Sequence, residues 1–275
     1  MVGGVGDDNM PQAQVIGRHV IWAPAREDNF WRLSYLDLED ICMQDPDRPR
    51  ILILNYPSNP VGSVYSVENL TQIGKLAVEH NLYIVSDEMY EKLVYDGYKH
   101  TSTASIDNAF RERTIISNGV SKAYSMTGWR IGYTVGKKEI ISAMSNIQSQ
   151  STSNPTSISQ YAALAALTGP QDFISVMVNE FQKRRDYLIR ELTGIPGVTC
   201  YNPKGAFYAF PNIAVTGMDD ETFAQKLLEE ERVAVVPGNA FGPGGEGYVR
   251  CSYATSYEKI EEALRRIEKF MHRHG

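Results

Sequence analysis

TIISNGVSKAYSMTGWRIGYTVG, residues 114–136, is the stretch whose reading decides the fold. Thr114 to Ile116 is a short apolar run that reads as a buried strand, and Arg130 to Val135 reads as another. The connection between them is too short for a helical crossover, so the second strand is expected to run antiparallel to the first. Lys122 lies on the Gly- and Ser-rich loop between them, framed by Ser121, Ala123 and Ser125, with Arg130 just beyond. A lysine held beside a pocket rather than in water loses part of its preference for the charged form, and a neutral amine forms Schiff bases. Arg130 can supply positive charge that favours the neutral amine, and a planar fork suited to a phosphate.

Working toward the N-terminus, the pattern is an alternation of strand and helix. Leu82 to Val85 is an apolar strand ending in Ser86-Asp87-Glu88, and Arg50 to Leu54 is a second. Ser66 is a suitable N-cap for a helix reaching about His80, with Leu70, Ile73, Leu76 and Ala77 at helical spacing. This is a βαβ unit, so its strands should be parallel with a right-handed crossover. Asn55 to Gly62 contains two prolines and reads as neither helix nor central strand. Asp45 to Pro49 reads as a loop, Leu36 to Met43 as a helix burying Leu36, Leu38 and Ile41, and Arg26 to Asn29 as a turn. Val15 to Ala23 is expected as a strand, and residues 1–14 as disordered.

Toward the C-terminus, Lys138 to Ser145 is expected to begin a helical stretch that Asn154-Pro155 breaks, and helices are expected from Ser157 to Leu167 and from Gln171 to about Thr193. The last is long, with Phe173, Met177, Phe181, Leu188 and Leu192 toward one side, and bridges to another lobe. Strands follow at 198–201, 206–210, 233–236 and 248–253, with a helix from Asp220 to Glu229. Thr255 to Glu258 has the spacing of a capping box opening a helix to about Met271. The chain divides on this reading into residues 1–14, a large domain over 15–170, and a bridging helix with an α+β small domain over 171–275.

A net charge of −6 and a pI near 5.5 argue against a nucleic-acid partner. No apolar run has transmembrane length and the N-terminus lacks an apolar signal region, so no membrane association and a cytoplasmic location are expected. Cys42, Cys200 and Cys251 are scattered and read as packing residues in a reducing compartment. The histidines show no metal spacing except His272 and His274, read as solvated tip residues, so no metal is expected.

Asn59 and Asp87 each follow a strand of the parallel unit, where ligands bind beyond the carboxyl ends, and Tyr90 lies three residues past Asp87. Asp87-Glu88 after a strand also suits a magnesium ligand of a P-loop ATPase, but the chain contains no G-x-x-x-x-G-K-[ST].

Residues 121–132, Ser-Lys-Ala-Tyr-Ser-Met-Thr-Gly-Trp-Arg-Ile-Gly, resemble the lysine signature of the class I/II aminotransferases, fold-type I enzymes that use pyridoxal 5'-phosphate (PLP). The resemblance implies that Lys122 is the Schiff-base lysine and that Arg130 contacts the cofactor phosphate. Asn55-Tyr56-Pro57-Ser58-Asn59-Pro60 resembles the family's asparagine–proline motif. It implies that Asn59 and Tyr90 hydrogen-bond the ring's phenolic oxygen and that Asp87 is the partner of the pyridine nitrogen, where a fixed carboxylate keeps the ring protonated. Tyr248 to Ser256 resembles the strand whose arginine binds a substrate α-carboxylate, which implies that role for Arg250, with Asn59 beside it. The implied fold is α/β and PLP-dependent transferase-like: a mostly parallel sheet with one antiparallel strand, plus a C-terminal α+β small domain. The implied activity is transamination between an amino acid and a 2-oxo acid, by a homodimer; a PLP lyase or racemase on the same fold, or a non-catalytic remnant, are the alternatives.

The similarity runs from about Val15 onward. In the family a substantial N-terminal portion precedes the segment matching Val15 to Asn29 and carries a phosphate-cradling Gly/Ser loop at a helix N-terminus. The large domain is therefore expected to be truncated, with exposed sheet edges that invite pairing. Gly119 occupies a position where many relatives carry a phosphate-binding serine, so PLP binding is expected to be weaker than in an intact relative.

Overall fold

The computed structural model describes residues 2–3, 10–45 and 50–274. In chain order its strands are β1 (Val2–Gly3), β2 (Ile21–Trp22), β3 (Ala25–Arg26), β4 (Arg32–Leu33), β5 (Arg50–Asn55), β6 (Leu82–Asp87), β7 (Thr114–Gly119), β8 (Gly132–Val135), β9 (Thr199–Cys200), β10 (Tyr208–Ala209), β11 (Pro211–Asn212), β12 (Val236–Pro237) and β13 (Val249–Ser252). Its helices are α1 (Met10–Val15), α2 (Tyr35–Met43), α3 (Val67–Glu79), α4 (Asn108–Arg111), α5 (Lys138–Ser151), α6 (Ser157–Thr168), α7 (Asp172–Gly194), α8 (Asp220–Glu231) and α9 (Tyr257–His274).

The main sheet has the order β2-β1-β5-β6-β7-β8. β5, β6 and β7 are parallel and β8 is antiparallel to β7, as the short connection requires. Their apolar runs bury Leu52, Leu54, Leu82 and Ile84 against α2 and α3. α3 starts at Ser66, whose hydroxyl accepts from Asn69 N while Asn69 Oδ1 accepts from Ser66 N, a capping box closed by asparagine. Leu70, Ile73, Leu76 and Ala77 form its buried stripe. A second cluster gathers Leu188, Leu192, Phe223, Leu227, Ile260, Leu264, Ile267 and Phe270 from α7, α8 and α9 around β13.

The two clusters are knitted by short-range hydrogen bonds. Lys204 N and Gly205 N donate to Gly62 O, Ala206 N donates to Leu93 O, and Tyr95 N donates to Lys204 O. Arg185, 1% exposed, crosses the same seam. It donates to Asp96, Asp186 and Pro203 O, with its guanidinium over the Tyr95 ring. No described helix is long and apolar enough to cross a membrane.

Several expectations are corrected. Val15 to Ala23 is not one strand: only Ile21–Trp22 is extended, and Met10–Val15 is helical; that helix and the paired strand Val2–Gly3 overturn disorder for residues 10–14 and 2–3. Pro11 in the first turn favours that helix, and Gly17 (φ +68°) ends it, its N–H donating to Gln14 O. Residues 1 and 4–9 lie outside the described residues, as does 46–49 of the expected loop. Leu36 is 54% exposed; α2 buries Leu38, Ile41 and Cys42, because a first-turn residue two positions before Leu38 faces away. Phe173 is exposed, and α7 buries Ile174 and Arg185 with Leu188 and Leu192. Arg130 is not in a strand; it holds φ +54° two residues before β8 begins. His274, expected to be solvated, lies 3.0 Å from Glu230 Oε2.

Candidate active site

The carboxyl ends of β5, β6 and β7 converge. Asn55 and Asp87 are register partners at the last residues of β5 and β6, and Asp87 pairs with Ser117 on β7. Period-2 alternation sends both side chains to one face, where Asn55 Nδ2 donates to Asp87 Oδ2 at 2.9 Å. Met89 N donates to Asp87 Oδ1 at 3.2 Å. Asn59 N donates to Asn55 Oδ1 at 2.9 Å, which folds the proline-rich turn over the same point.

Behind this face the alternation places a buried polar cluster. Glu88 Oε1 accepts from Ser86 and Ser102, and Glu88 Oε2 lies 3.1 Å from His100 Nε2. The His100 ring stacks on Tyr56 at 5.0 Å. Glu91 joins Glu88 and His100 within 4.8 Å, a grouping that the sequence spacing did not show. The buried Glu88 carboxylate is engaged there by two hydroxyl donors and faces the His100 ring.

Lys122 lies three residues past the end of β7. Its ammonium sits 5.6 Å from the centres of both the Tyr90 and Phe207 rings. Burial lowers its pKa, and the positive charges of Arg250 and Arg130 lower it further against an opposing effect of Asp87. Tyr90 is buried and shares a 2.9 Å hydrogen bond with Tyr208. Burial raises its pKa, with Tyr208 and Asp87 adding to the shift, so the phenol stays protonated.

Arg250 reaches the same place from β13. Its Nη1 donates to Asn59 Oδ1 at 2.7 Å, and its guanidinium lies over Tyr208 (4.5 Å) and Phe241 (4.9 Å). Arg250 Nε is buried without a protein partner. A donor so placed, beside a lysine, is suited to an anionic ligand group.

Arg130 is exposed and donates to Thr127 O at 3.0 Å. Gly119 faces Gly132 across the β7–β8 pair. A Cβ there would lie 2.8 Å from Ile131 O and 3.1 Å from Gly132 Cα, so this sheet corner leaves no room for a serine side chain.

The structure therefore brings Asn59, Asp87, Tyr90, Lys122 and Arg250 around one point, with Arg130 within electrostatic reach. Sequence reading did not single out Asn55, Phe207, Tyr208 or Phe241 as site residues. The aromatic run Ala206 to Phe210 was a signal for two of them, and Asn55 opens the asparagine–proline motif, with its register opposite Asp87 visible only in the sheet.

Comparison with known proteins identifies close relatives. The sequence pattern of the family "Aminotransferase class I and II" matches residues 11–267. The chain is 43% identical over 269 residues to aspartate aminotransferase of Bacillus subtilis, covering 96% of this chain and 67% of that protein. It is 43% identical over 263 residues to aromatic-amino-acid aminotransferase 2 of Thermococcus litoralis, covering 95% and 66%. The crystal structure of an aromatic aminotransferase from Pyrococcus horikoshii superposes with a TM-score of 0.94 at 39% identity, over 99% of this chain and 73% of that one. The chain thus spans about two thirds of the length of these curated relatives.

Proposed function

Because this chain belongs to the class I and II aminotransferases, a family of PLP-dependent enzymes, we propose that it holds PLP at Lys122 and transfers an amino group between an amino acid and a 2-oxo acid. The observation that carries the proposal is the lysine with a lowered pKa between two arginines, ringed by a carboxylate, a phenol and a carboxamide. That donor set fits the cofactor. Arg130 would meet its phosphate, Asp87 its ring nitrogen, and Tyr90 and Asn59 its phenolic oxygen. Bound PLP supplies an electron sink for negative charge developing at the substrate Cα.

The protein's own groups do the rest. Lys122 Nζ, favoured as a neutral amine, is placed to take the substrate Cα proton as a general base and to give it up again as a general acid. Arg250 grips the substrate carboxylate, oriented by Asn59 and by the aromatic faces of Tyr208 and Phe241. Asp87 is held in place by Asn55 Nδ2 and Met89 N, which donate to its two oxygens. Tyr90, kept protonated, donates rather than repels. Residues 15–170 form the cofactor lobe in this reading and 171–275 carry Arg250 to it. The assembly is the homodimer typical of the family, and the unpaired cysteines suit a reducing, cytoplasmic compartment.

The Gly119 corner favours a second reading, a chain that keeps the fold with weak or no cofactor binding, since it leaves Arg130 as the phosphate anchor. One experiment separates them. The purified chain is titrated with PLP, reduced with borohydride and mapped by peptide. Label confined to Lys122 and lost in Lys122→Ala is the expected result, with glutamate formed from an amino acid and 2-oxoglutarate. Label scattered over surface lysines would sink the proposal.

A further inference from the structure

Tyr208 touches two groups of the candidate site, and it carries a hydroxyl that packing does not call for. The register of β10 with β13 sets Tyr208 opposite Ser252, so Arg250, two residues away on β13, shares its face as a diagonal neighbour. The Arg250 guanidinium accordingly lies 4.5 Å from the centre of the Tyr208 ring. At the tip of that ring the hydroxyl shares the 2.9 Å hydrogen bond with Tyr90, three residues past the end of β6. The two rings meet edge to face with centroids 5.9 Å apart, and both side chains are buried. Tyr208 thus links the arginine of one lobe to the phenol of the other. The neighbouring Phe207 packs on the same Tyr90 ring at 5.5 Å with no hydroxyl at all. Burying a hydroxyl costs free energy unless it makes a hydrogen bond, so a tyrosine here points to a use for the bond.

We infer that Tyr208 is a positioning residue: its hydroxyl donates to Tyr90, aims the Tyr90 O–H at the cofactor's phenolic oxygen, and ties that phenol to Arg250. The inference rests on the reading of this site as a PLP site. Each phenol has one hydrogen to give and lone pairs to accept with. Two hydroxyls that face each other share one hydrogen and leave the second to point elsewhere, and by distance alone either oxygen of this pair can be the donor. Two charges bias the choice. A cation beside a phenol favours release of its proton, so Arg250 over the Tyr208 ring makes that hydroxyl the better donor. At Tyr90 the charge of Asp87 outweighs that of Arg250 and acts in the opposite sense, which makes the Tyr90 oxygen the better acceptor. The hydrogen left over is then that of Tyr90, free to meet a negatively charged oxygen of the ligand. Hydrogen bonds in such a chain strengthen one another. A ring without a hydroxyl at position 208 would leave the Tyr90 O–H to rotate about its C–O bond.

The test compares the full chain with Tyr208→Phe, which keeps the ring under Arg250 and removes only the hydroxyl. Without cofactor, urea denaturation of Tyr90→Phe, Tyr208→Phe and the double variant should give losses that do not add, because each single change removes the same hydrogen bond. With saturating PLP, the visible absorbance of the cofactor is followed against pH. A donor at the phenolic oxygen draws electron density from the ring and makes the nitrogen joined to Lys122 less basic, so a weakened donor raises the midpoint. Tyr208→Phe should raise it by roughly half a pH unit. Asp87, Arg130 and Arg250, the charged groups acting on Lys122, are the same in both chains. Tyr95→Phe is the control: it removes another buried hydroxyl of this seam, the donor to Ala206 O, and should leave the midpoint in place. Additive losses, an unmoved or lowered midpoint in Tyr208→Phe, or an equal shift in Tyr95→Phe each overturn the inference. A band that Lys122→Ala does not abolish, or no band at all, overturns the proposed function and this role of Tyr208 with it. A band that depends on Lys122 but keeps its midpoint in Tyr208→Phe overturns the role alone.

Discussion

Helices α5 and α9 both carry an apolar stripe at helical spacing and meet opposite fates in the fold. α9 sets Ile260, Leu264, Ile267, Phe270 and Met271 along one side and buries all of them. α5 sets Ile140, Met144 and Ile147 along one side and buries none. Periodicity reports that a stripe wants a partner; it does not report that the chain supplies one. The C-terminal region closes its own core through α7, α8 and α9, whereas the segment from β8 through α6 presents its stripe outward.

The sharpest way to break this contrast is to cut into each region. Phe270→Ala removes a fully buried ring packed edge-on against Phe223 at 5.2 Å. It should cost about 4 kcal/mol, within the usual range for deleting a buried aromatic side chain. Urea denaturation followed by far-ultraviolet circular dichroism reads it, and a loss below about 1 kcal/mol would mean this core is loosely packed.

Next in size is the seam between the two clusters. Arg185→Met removes the donors to Asp96 and Pro203 O. The expected loss is about 3 kcal/mol, the low end for removing one partner of a buried pair, because Asp96 keeps Lys204 at 2.7 Å and some water. Arg185 and Lys204 also hold the Asp96 carboxyl well below the usual carboxylate range. Its folded-state pKa is depressed, so its contribution is present above the unfolded value of about 3.9 and is lost as pH falls below that. Acid titration of Arg185→Met should show a shallower loss of stability below pH 4 than the unsubstituted chain. Parallel curves would exclude Asp96 as the source.

These cases show what the sequence could and could not tell. β5, β6 and α3 were legible because their apolar runs and caps are local. The candidate site residues Lys122, Asp87, Asn59 and Arg250 were legible through motifs, and the fold brings them together across up to 191 positions. Asn55 and Tyr208 were not singled out because their partners, Asp87 and Tyr90, are adjacent only in register or across the lobes. Arg185 was not singled out because its partner Asp96 is 89 residues away. The N-terminal strand was misread because two-residue strands such as β1 and β2 are fixed by their neighbours in the sheet rather than by their own residues.

Lys122→Met compares the pocket with both regions. The lowered lysine pKa means that the unfolded chain binds this proton more readily than the folded one. At pH 7 that penalises the fold, and the penalty disappears as pH rises from the depressed value to the ordinary one near 10.4. Without cofactor, Lys122→Met should therefore melt higher than the unsubstituted chain at pH 7, with the gap closing toward pH 10. A lower melting temperature at pH 7 would mean that the lysine is stabilised by its surroundings and is not poised as a neutral amine.

The smallest effect belongs to α5. Ile147 is 72% exposed, so Ile147→Ala in the chain alone should stay within about 0.5 kcal/mol. A loss above about 1 kcal/mol would mean that the stripe of Ile140, Met144 and Ile147 is covered in the chain alone rather than solvated.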